Sequence, residues 1–167
     1  EKRVPPFKDD KILTGWNGMM IAALAKAYRV LGEEQYLVAA EKAAWFVLQR
    51  LRRSDGRLLA RFRDGEAQYP AYAADYAFLV WGLIELYESS FNMDYLRRAL
   101  ELNQDMLNVF WDQEHGGLFI YGDDSERLLL RPKESYDGAV PSENSVAALN
   151  FVRLARLTGN TDLEGRA

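Results

Sequence analysis

The sequence predicts an all-α chain folded as part of an α/α toroid, an (α/α)6-like arrangement of antiparallel helical hairpins with short β-hairpins in the connections. Three observations carry that prediction. Helical segments that are apolar on nearly every side alternate three times with segments that keep one polar face. The alternation repeats in the letters: Tyr36-Leu37-Val38-Ala39-Ala40-Glu41-Lys42-Ala43 aligns with Tyr95-Leu96-Arg97-Arg98-Ala99-Leu100-Glu101-Leu102, an offset of 59 residues. Glycine-bearing turns follow the first two polar-faced segments, which makes the unit longer than the roughly 33–47 residues of the common helical repeats.

From Trp16 to Leu31, apolar residues at 16, 20, 23, 24, 27 and 31 follow helical spacing, and Met19, Ile21, Ala22 and Ala25 fill the other side. A helix apolar all round is expected to be buried. From Glu34 to Arg53 one stripe, Tyr36, Leu37, Ala40, Ala43, Ala44, Val47 and Leu51, opposes Glu33, Glu41, Lys42, Gln49, Arg50 and Arg53, so the second helix has a wet side. Arg50, Arg52 and Arg53 suit the carbonyls at its C-terminus. Ser54-Asp55-Gly56-Arg57-Leu58-Leu59 then reads as a turn entering a short strand.

The second unit follows the same plan. Ala74 to Glu88 carries Tyr76-Ala77-Phe78-Leu79-Val80-Trp81, a dry helix, and Met93 to Trp111 is its amphipathic partner. His115-Gly116-Gly117-Leu118-Phe119-Ile120-Tyr121-Gly122 reads as another turn and strand. A third dry helix starts after Pro141-Ser142, through Val146-Ala147-Ala148-Leu149, and Thr161-Asp162-Leu163 opens its wet partner. Residues 1–167 form one domain on this reading, a fragment of a larger toroid, because the chain stops inside a helical turn. An arc of a ring leaves apolar edges, so self-association is expected. Because the dry helices run the same way, their N-termini and the loops before them gather at one end.

Composition narrows the function. The chain of 167 residues has a net charge of -4 and no cysteine. An acidic balance argues against nucleic acid and anionic membrane, and no apolar run approaches the roughly 20 residues that span a bilayer. Without cysteine there is no disulfide framework or thiolate metal site, which fits a reducing cytoplasm. The single histidine, His115, lies in a glycine turn with no second imidazole to complete a metal site. No cofactor or metal is expected. The EKRVPPF start lacks the apolar core of a signal peptide.

Several stretches together resemble one family: DDKILTGWNGMMIAALAKA, Ala74-Asp75-Tyr76-Ala77-Phe78-Leu79 with Gly82-Leu83, the Phe110-Trp111-Asp112 to Gly116-Gly117-Leu118-Phe119 turn, and YDGAVPSENSVAALN. They look like the C-terminal part of the thioredoxin-domain-containing family that includes YyaL-type bacterial proteins and spermatogenesis-associated protein 20. The resemblance covers essentially the whole chain. It implies a six-hairpin-glycosidase-like toroid, similar to N-acylglucosamine 2-epimerase and cellobiose 2-epimerase, with a thioredoxin-like domain elsewhere in the intact protein. The histidine proton transfer of those epimerases does not carry over to a chain whose one histidine sits in a turn.

Three polar groups precede the dry helices and are expected to share one cavity. They are Asp9, Asp10, Lys11, Trp16 and Asn17, then Tyr72, Asp75 and Tyr76, then Tyr136, Asp137, Glu143 and Asn144 with Ser145. Aromatic faces stack on sugar C–H surfaces while carboxylates and amides bind hydroxyls, so a small-molecule sugar is the expected ligand. Asp10, Asp75, Asp137 and Glu143 are the catalytic candidates, since glycoside hydrolysis needs two carboxyl groups about 5 to 9.5 Å apart. Asp9, Lys11, Trp16, Asn17, Tyr72, Tyr76, Tyr136 and Asn144 are the substrate-binding candidates. Plain structural roles compete: Thr14, Asp75 and Ser142 are helix-capping types, Asp9-Asp10-Lys11 is a local ion-pair cluster, and Tyr76 and Trp81 suit a core. Two functions stand: a carbohydrate-active or carbohydrate-binding toroid of glycosidase or sugar-epimerase type, and a non-catalytic scaffold serving an attached thioredoxin-like domain.

Overall fold

The computed structural model describes residues 3–126 and 129–167; Glu1 and Lys2, the start of the EKRVPPF segment, lie outside them. In chain order the elements are β1 (Ile12–Leu13), α1 (Thr14–Leu31), α2 (Glu34–Arg50), β2 (Leu59–Arg63), β3 (Glu66–Pro70), α3 (Ala73–Ser90), α4 (Met93–Phe110), α5 (Glu143–Thr158) and α6 (Thr161–Glu164). The alternation of dry and wet segments is thus realised as two helical hairpins, α1–α2 and α3–α4, and a third formed by α5 with the single turn of α6.

The dry helices α1, α3 and α5 lie side by side and run parallel. At one end the Gly15 amide donates to Asp75 Oδ1 at 2.8 Å; near the other, Ser89 Oγ donates to the Ala25 carbonyl at 3.0 Å. Between α5 and α3, Asn150 Nδ2 donates to the Ala77 carbonyl at 2.8 Å, and Arg153 reaches Glu85 at 2.7 Å. The α1–α3 contact is close enough to require glycine. A Cβ on Gly18 would lie 2.5 Å from the Phe78 carbonyl carbon, and one on Gly82 would lie 2.7 Å from the Gly18 oxygen. Backbone therefore meets backbone at the crossing, which no larger residue permits.

α3 occupies the centre. Tyr76 through Val80 and Gly82 through Leu86 are buried, with α1 on one side, α5 on the other and α4 behind. α1 differs from expectation. Flanked by an inner helix on one side only, it is not buried all round: Trp16 (67%), Met20 (57%) and Val30 (81%) are exposed along one stripe. α2 and α4 cover the outer side through Leu37, Ala40, Ala44 and Val47 and through Leu96, Ala99, Leu102 and Met106.

The connections contain less strand than predicted. After α2 a hairpin of β2 and β3 turns at Asp64-Gly65, both with positive φ (52° and 83°), as a two-residue loop of the I′ kind requires. β1 pairs antiparallel with β2 to make a three-stranded sheet. After α4 the second hairpin is reduced to one bridge, Trp111 to Leu118. Asn144 takes over as clamp there: its Oδ1 accepts the Leu118 amide at 2.7 Å, and its Nδ2 donates to the carbonyls of Leu118 and Glu134.

Candidate functional site

Parallel inner helices place Thr14, Ala73 and Glu143 at one end of the molecule, together with the sheet and the 118–121 segment. The Ala73 amide bonds the Ile120 carbonyl at 3.2 Å, which ties that segment to the start of α3. An open cleft of about 420 Å³ lies there, lined by Tyr69, Pro70, Tyr72, Tyr121, Asp124, Ser125 and Glu126. Its size falls within the roughly 300–1,000 Å³ range of small-molecule sites. Tyr72 and Tyr121 meet edge to face at 5.7 Å between ring centres.

The cleft rests on a buried pin. The Arg57 guanidinium is sandwiched against Tyr76 and Phe110, 5.3 and 5.1 Å from their ring centres. It donates to Asp124 through Nε at 2.8 Å, to the Tyr76 hydroxyl at 3.0 Å and to the Ala71 carbonyl. Arg57 holds the Asp124 carboxyl below the usual range, so Asp124 is ionised at the cleft wall. A charged, bidentate donor of this kind fixes the wall geometry more firmly than a neutral one.

The structure separates the expected site residues by what their polar atoms do. Asp75 is half-buried and joins two helix starts: Oδ2 accepts the Tyr72 amide at 2.9 Å, the return half of a capping box, and Oδ1 accepts the Gly15 amide. Burial pushes its carboxyl up to about 6 in spite of the two amide donors. Asp10 lies exposed beside Arg63 at 3.0 Å, and Asp9 pairs with Lys11 at 3.2 Å. Asp137 accepts the Ser142 amide at 2.9 Å, and that contact lowers its pKa.

Glu143 is distinct. It is buried, burial raises its pKa, and among the described residues its Oε1 is a buried oxygen without a hydrogen-bond partner. A buried carboxyl oxygen without a partner costs free energy and requires a reason.

Of the substrate-binding candidates, Tyr72 lines the cleft, and Trp16 and Tyr136 are exposed at the same end. Three others have polar atoms engaged within the fold. Tyr76 is fully buried, and its hydroxyl accepts the Leu58 amide and the Arg57 guanidinium, so it supports the site from beneath. Asn144 spends its amide on the clamp described above. Asn17 returns Nδ2 to the Leu13 carbonyl at 2.8 Å and stabilises its own helix start. Thr14 does not cap α1 either: its hydroxyl donates to the Leu59 carbonyl at 2.6 Å and pins helix to sheet. Ser142 does cap, accepting the Ser145 amide at 3.1 Å. His115 is an exposed turn residue, its amide bonded to Asp112.

Sequence reasoning missed Tyr69, Tyr121, Asp124 and Glu126 in the cleft. Tyr69 and Tyr121 stand beside turn and strand signals, and nothing in their spacing marks convergence. It also missed Glu85, although one carboxylate inside an apolar helix is a signal. Glu85 is 1% exposed, accepts Trp81 Nε1 at 3.1 Å, and bonds both Arg29 and Arg153. The same two arginines reach Glu88 at 2.6 and 2.8 Å, closing a square that ties α1, α3 and α5 at the end opposite the cleft. Among the described residues no group of three or more His, Asp or Glu is placed to hold a metal ion, and no helix is long and apolar enough to cross a membrane.

Comparison with known proteins sets this geometry in context. No protein-family model matches the chain. It is 40% identical over 167 residues to rat spermatogenesis-associated protein 20, a match covering 92% of this chain and 21% of that protein. To the human protein of the same name it is 36% identical over 170 residues, covering 96% and 22%. The chain thus spans about a fifth of the length of the curated relatives it matches. Among solved structures it is similar to cellobiose 2-epimerase from Bacillus thermoamylovorans B4167 (TM-score 0.75, 22% identity, 96% of this chain and 43% of that one). It is likewise similar to an inactive α-1,6-mannanase of Salegentibacter sp. HEL1_6 in complex with α-1,6-mannotriose (TM-score 0.72, 15% identity, 91% and 44%). These likenesses establish the fold, an α/α toroid of the six-hairpin-glycosidase kind.

Proposed function

We propose, on the premise that this chain is homologous to one region of spermatogenesis-associated protein 20 and folds as an arc of an α/α toroid, that it binds a carbohydrate at the end where its inner helices begin. One observation carries the reading: three tyrosines and two carboxylates converge on an open cleft of about 420 Å³ beside the start of α3. Rings supply faces for sugar C–H groups, and carboxylate oxygens accept from hydroxyls. That toroids of the same fold include a cellobiose epimerase and a mannanase supports the ligand class by analogy, a weaker warrant than the cleft itself.

For chemistry, Glu143 is the strongest of the four carboxyl candidates. Burial favours its protonated form, the state from which a carboxylic acid donates to a leaving oxygen. Asp75 and Asp137 have oxygens committed to amides, and Asp10 faces Arg63 in solvent.

The test is a binding screen against neutral mono- and oligosaccharides with wild type, Tyr72→Ala and Glu143→Gln. Binding that Tyr72→Ala weakens and Glu143→Gln leaves intact, with turnover lost in the latter, is the expected result. A wild-type protein that binds no sugar at millimolar concentration overturns the proposal.

A further inference from the structure

Tyr69 breaks two backbone preferences at once. Its φ is +62°, in the left-handed region that bulky residues seldom occupy, and it precedes Pro70, a neighbour that favours extended backbone. The hairpin around it is otherwise regular, with Gln68 opposite Arg61 and Pro70 opposite Leu59, so the twist is local to this one residue. The ring is 58% exposed and lines the cleft.

The ring is nevertheless held. The Arg61 guanidinium sits 4.8 Å over its centre, and Gln68 anchors that guanidinium at 2.6 Å. A cation stacked on an aromatic face is an attractive, orienting contact. A strained backbone therefore aims a ring, a planar cation holds it in position, and the Tyr72–Tyr121 edge-to-face pair lines the same cleft. Strained conformations persist where the surrounding structure over-determines them, typically at ligand sites.

We propose that Tyr69 is the stacking platform of a pyranose subsite in this cleft, selective for neutral sugars over anionic ones. The inference rests on the carbohydrate reading above and adds the residue and the selectivity. A rigid ring contacts the flat C–H face of a pyranose at small entropic cost, as aromatic contact residues with few rotatable bonds do. Asp124, its charge shared with Arg57, and Glu126 line the same cleft; their oxygens accept from hydroxyls, and the Glu126 carboxylate disfavours carboxylate- or phosphate-bearing sugars.

The experiment is titration calorimetry of the protein with cellobiose and α-1,6-mannotriose, and with glucuronate and glucose 6-phosphate as anionic arms. The variants are Tyr69→Phe, Tyr69→Asn and Tyr69→Gly. Asparagine and glycine both accept positive φ, so these two are expected to melt at or above the wild-type temperature. Wild type and Tyr69→Phe are expected to bind a neutral sugar, with Tyr69→Asn and Tyr69→Gly weaker by about tenfold. Equal binding by wild type and by whichever of the two small variants folds overturns the role of Tyr69 and leaves the carbohydrate reading standing. Tighter binding of an anionic sugar overturns the selectivity. Failure of wild type to bind any of the four sugars overturns both.

Discussion

Replacing Gly18 with alanine tests the inner-helix contact most directly. The added Cβ would lie 2.5 Å from the Phe78 carbonyl carbon and 2.6 Å from the Leu79 nitrogen and the Phe78 oxygen. Ordinary carbon contacts are about 3.5–4.0 Å, so α1 and α3 must part by about 1 Å where they cross. All three obstacles are main-chain atoms, which cannot rotate aside. Overpacking costs about 1–3 kcal/mol and this site belongs at the upper end; the better helix propensity of alanine returns about 1 kcal/mol. The net loss is about 2 kcal/mol, or about 4–8 °C in melting temperature for a chain of this size. Urea unfolding followed by circular dichroism reads the first quantity and a thermal melt the second. Gly165→Ala is the control, since its φ is −71° and the nearest atoms to its Cβ are 3.7 Å away; it should fall within about 0.5 kcal/mol of wild type. A Gly18→Ala protein as stable as the control, with an unchanged denaturant slope, refutes the close approach.

Other outcomes follow from the same contacts. Asp75 has its pKa raised from 3.8 to about 6 in the fold. A raised pKa favours the folded state while the group is protonated, so its contribution is full below pH 3.8 and lost as pH rises through 6. The stability of wild type relative to Asp75→Asn should therefore fall by on the order of 3 kcal/mol across that window in denaturation at stepped pH, and a difference that rises instead contradicts the burial. Glu85→Ala leaves Arg29 and Arg153 with Glu88 alone and strands Trp81 Nε1, and should cost about 1–3 kcal/mol in urea unfolding; a loss below about 0.5 kcal/mol would show the square to be dispensable. Tyr76→Phe strands the Leu58 amide and one Arg57 donor and should cost about 1–3 kcal/mol, checked by the same method. The apolar stripe of Trp16, Met20 and Val30 should make the protein self-associate, and Met20→Glu should abolish this in light scattering; a wild type that stays monomeric contradicts the expectation.

The inner and outer helices were legible because burial writes periodicity into sequence. α2 and α4 place charges on one face alone, and α3 has none on its first three turns apart from Asp75. α1 and α5 stop at Gly32 and Gly159, whose φ values of 72° and 75° favour glycine, a signal the sequence reasoning passed over. The pairing of β1 with β2 was not legible, since two residues, Ile12 and Leu13, carry no period. Nor was the cleft. Tyr69, Tyr72 and Tyr121 come from three separate segments, and their convergence depends on a left-handed tyrosine and on Arg57 reaching Asp124, neither of which has a local signature. Asp75 and Asn144 were recognisable as unusual polar residues at helix starts, but the same letters serve capping and ligand binding alike. Only partner atoms distinguish the two.

The arginine–glutamate square gives the molecule a stiff foot. Two cations and two anions braced across three rods resist shear there, whereas the opposite rim is made of loops, rings and a small hairpin pinned to the core by Arg57 and Asp124. Any opening or tightening on contact with a guest is thus confined to the rim, and deuterium uptake should slow there while the foot exchanges at an unaltered pace.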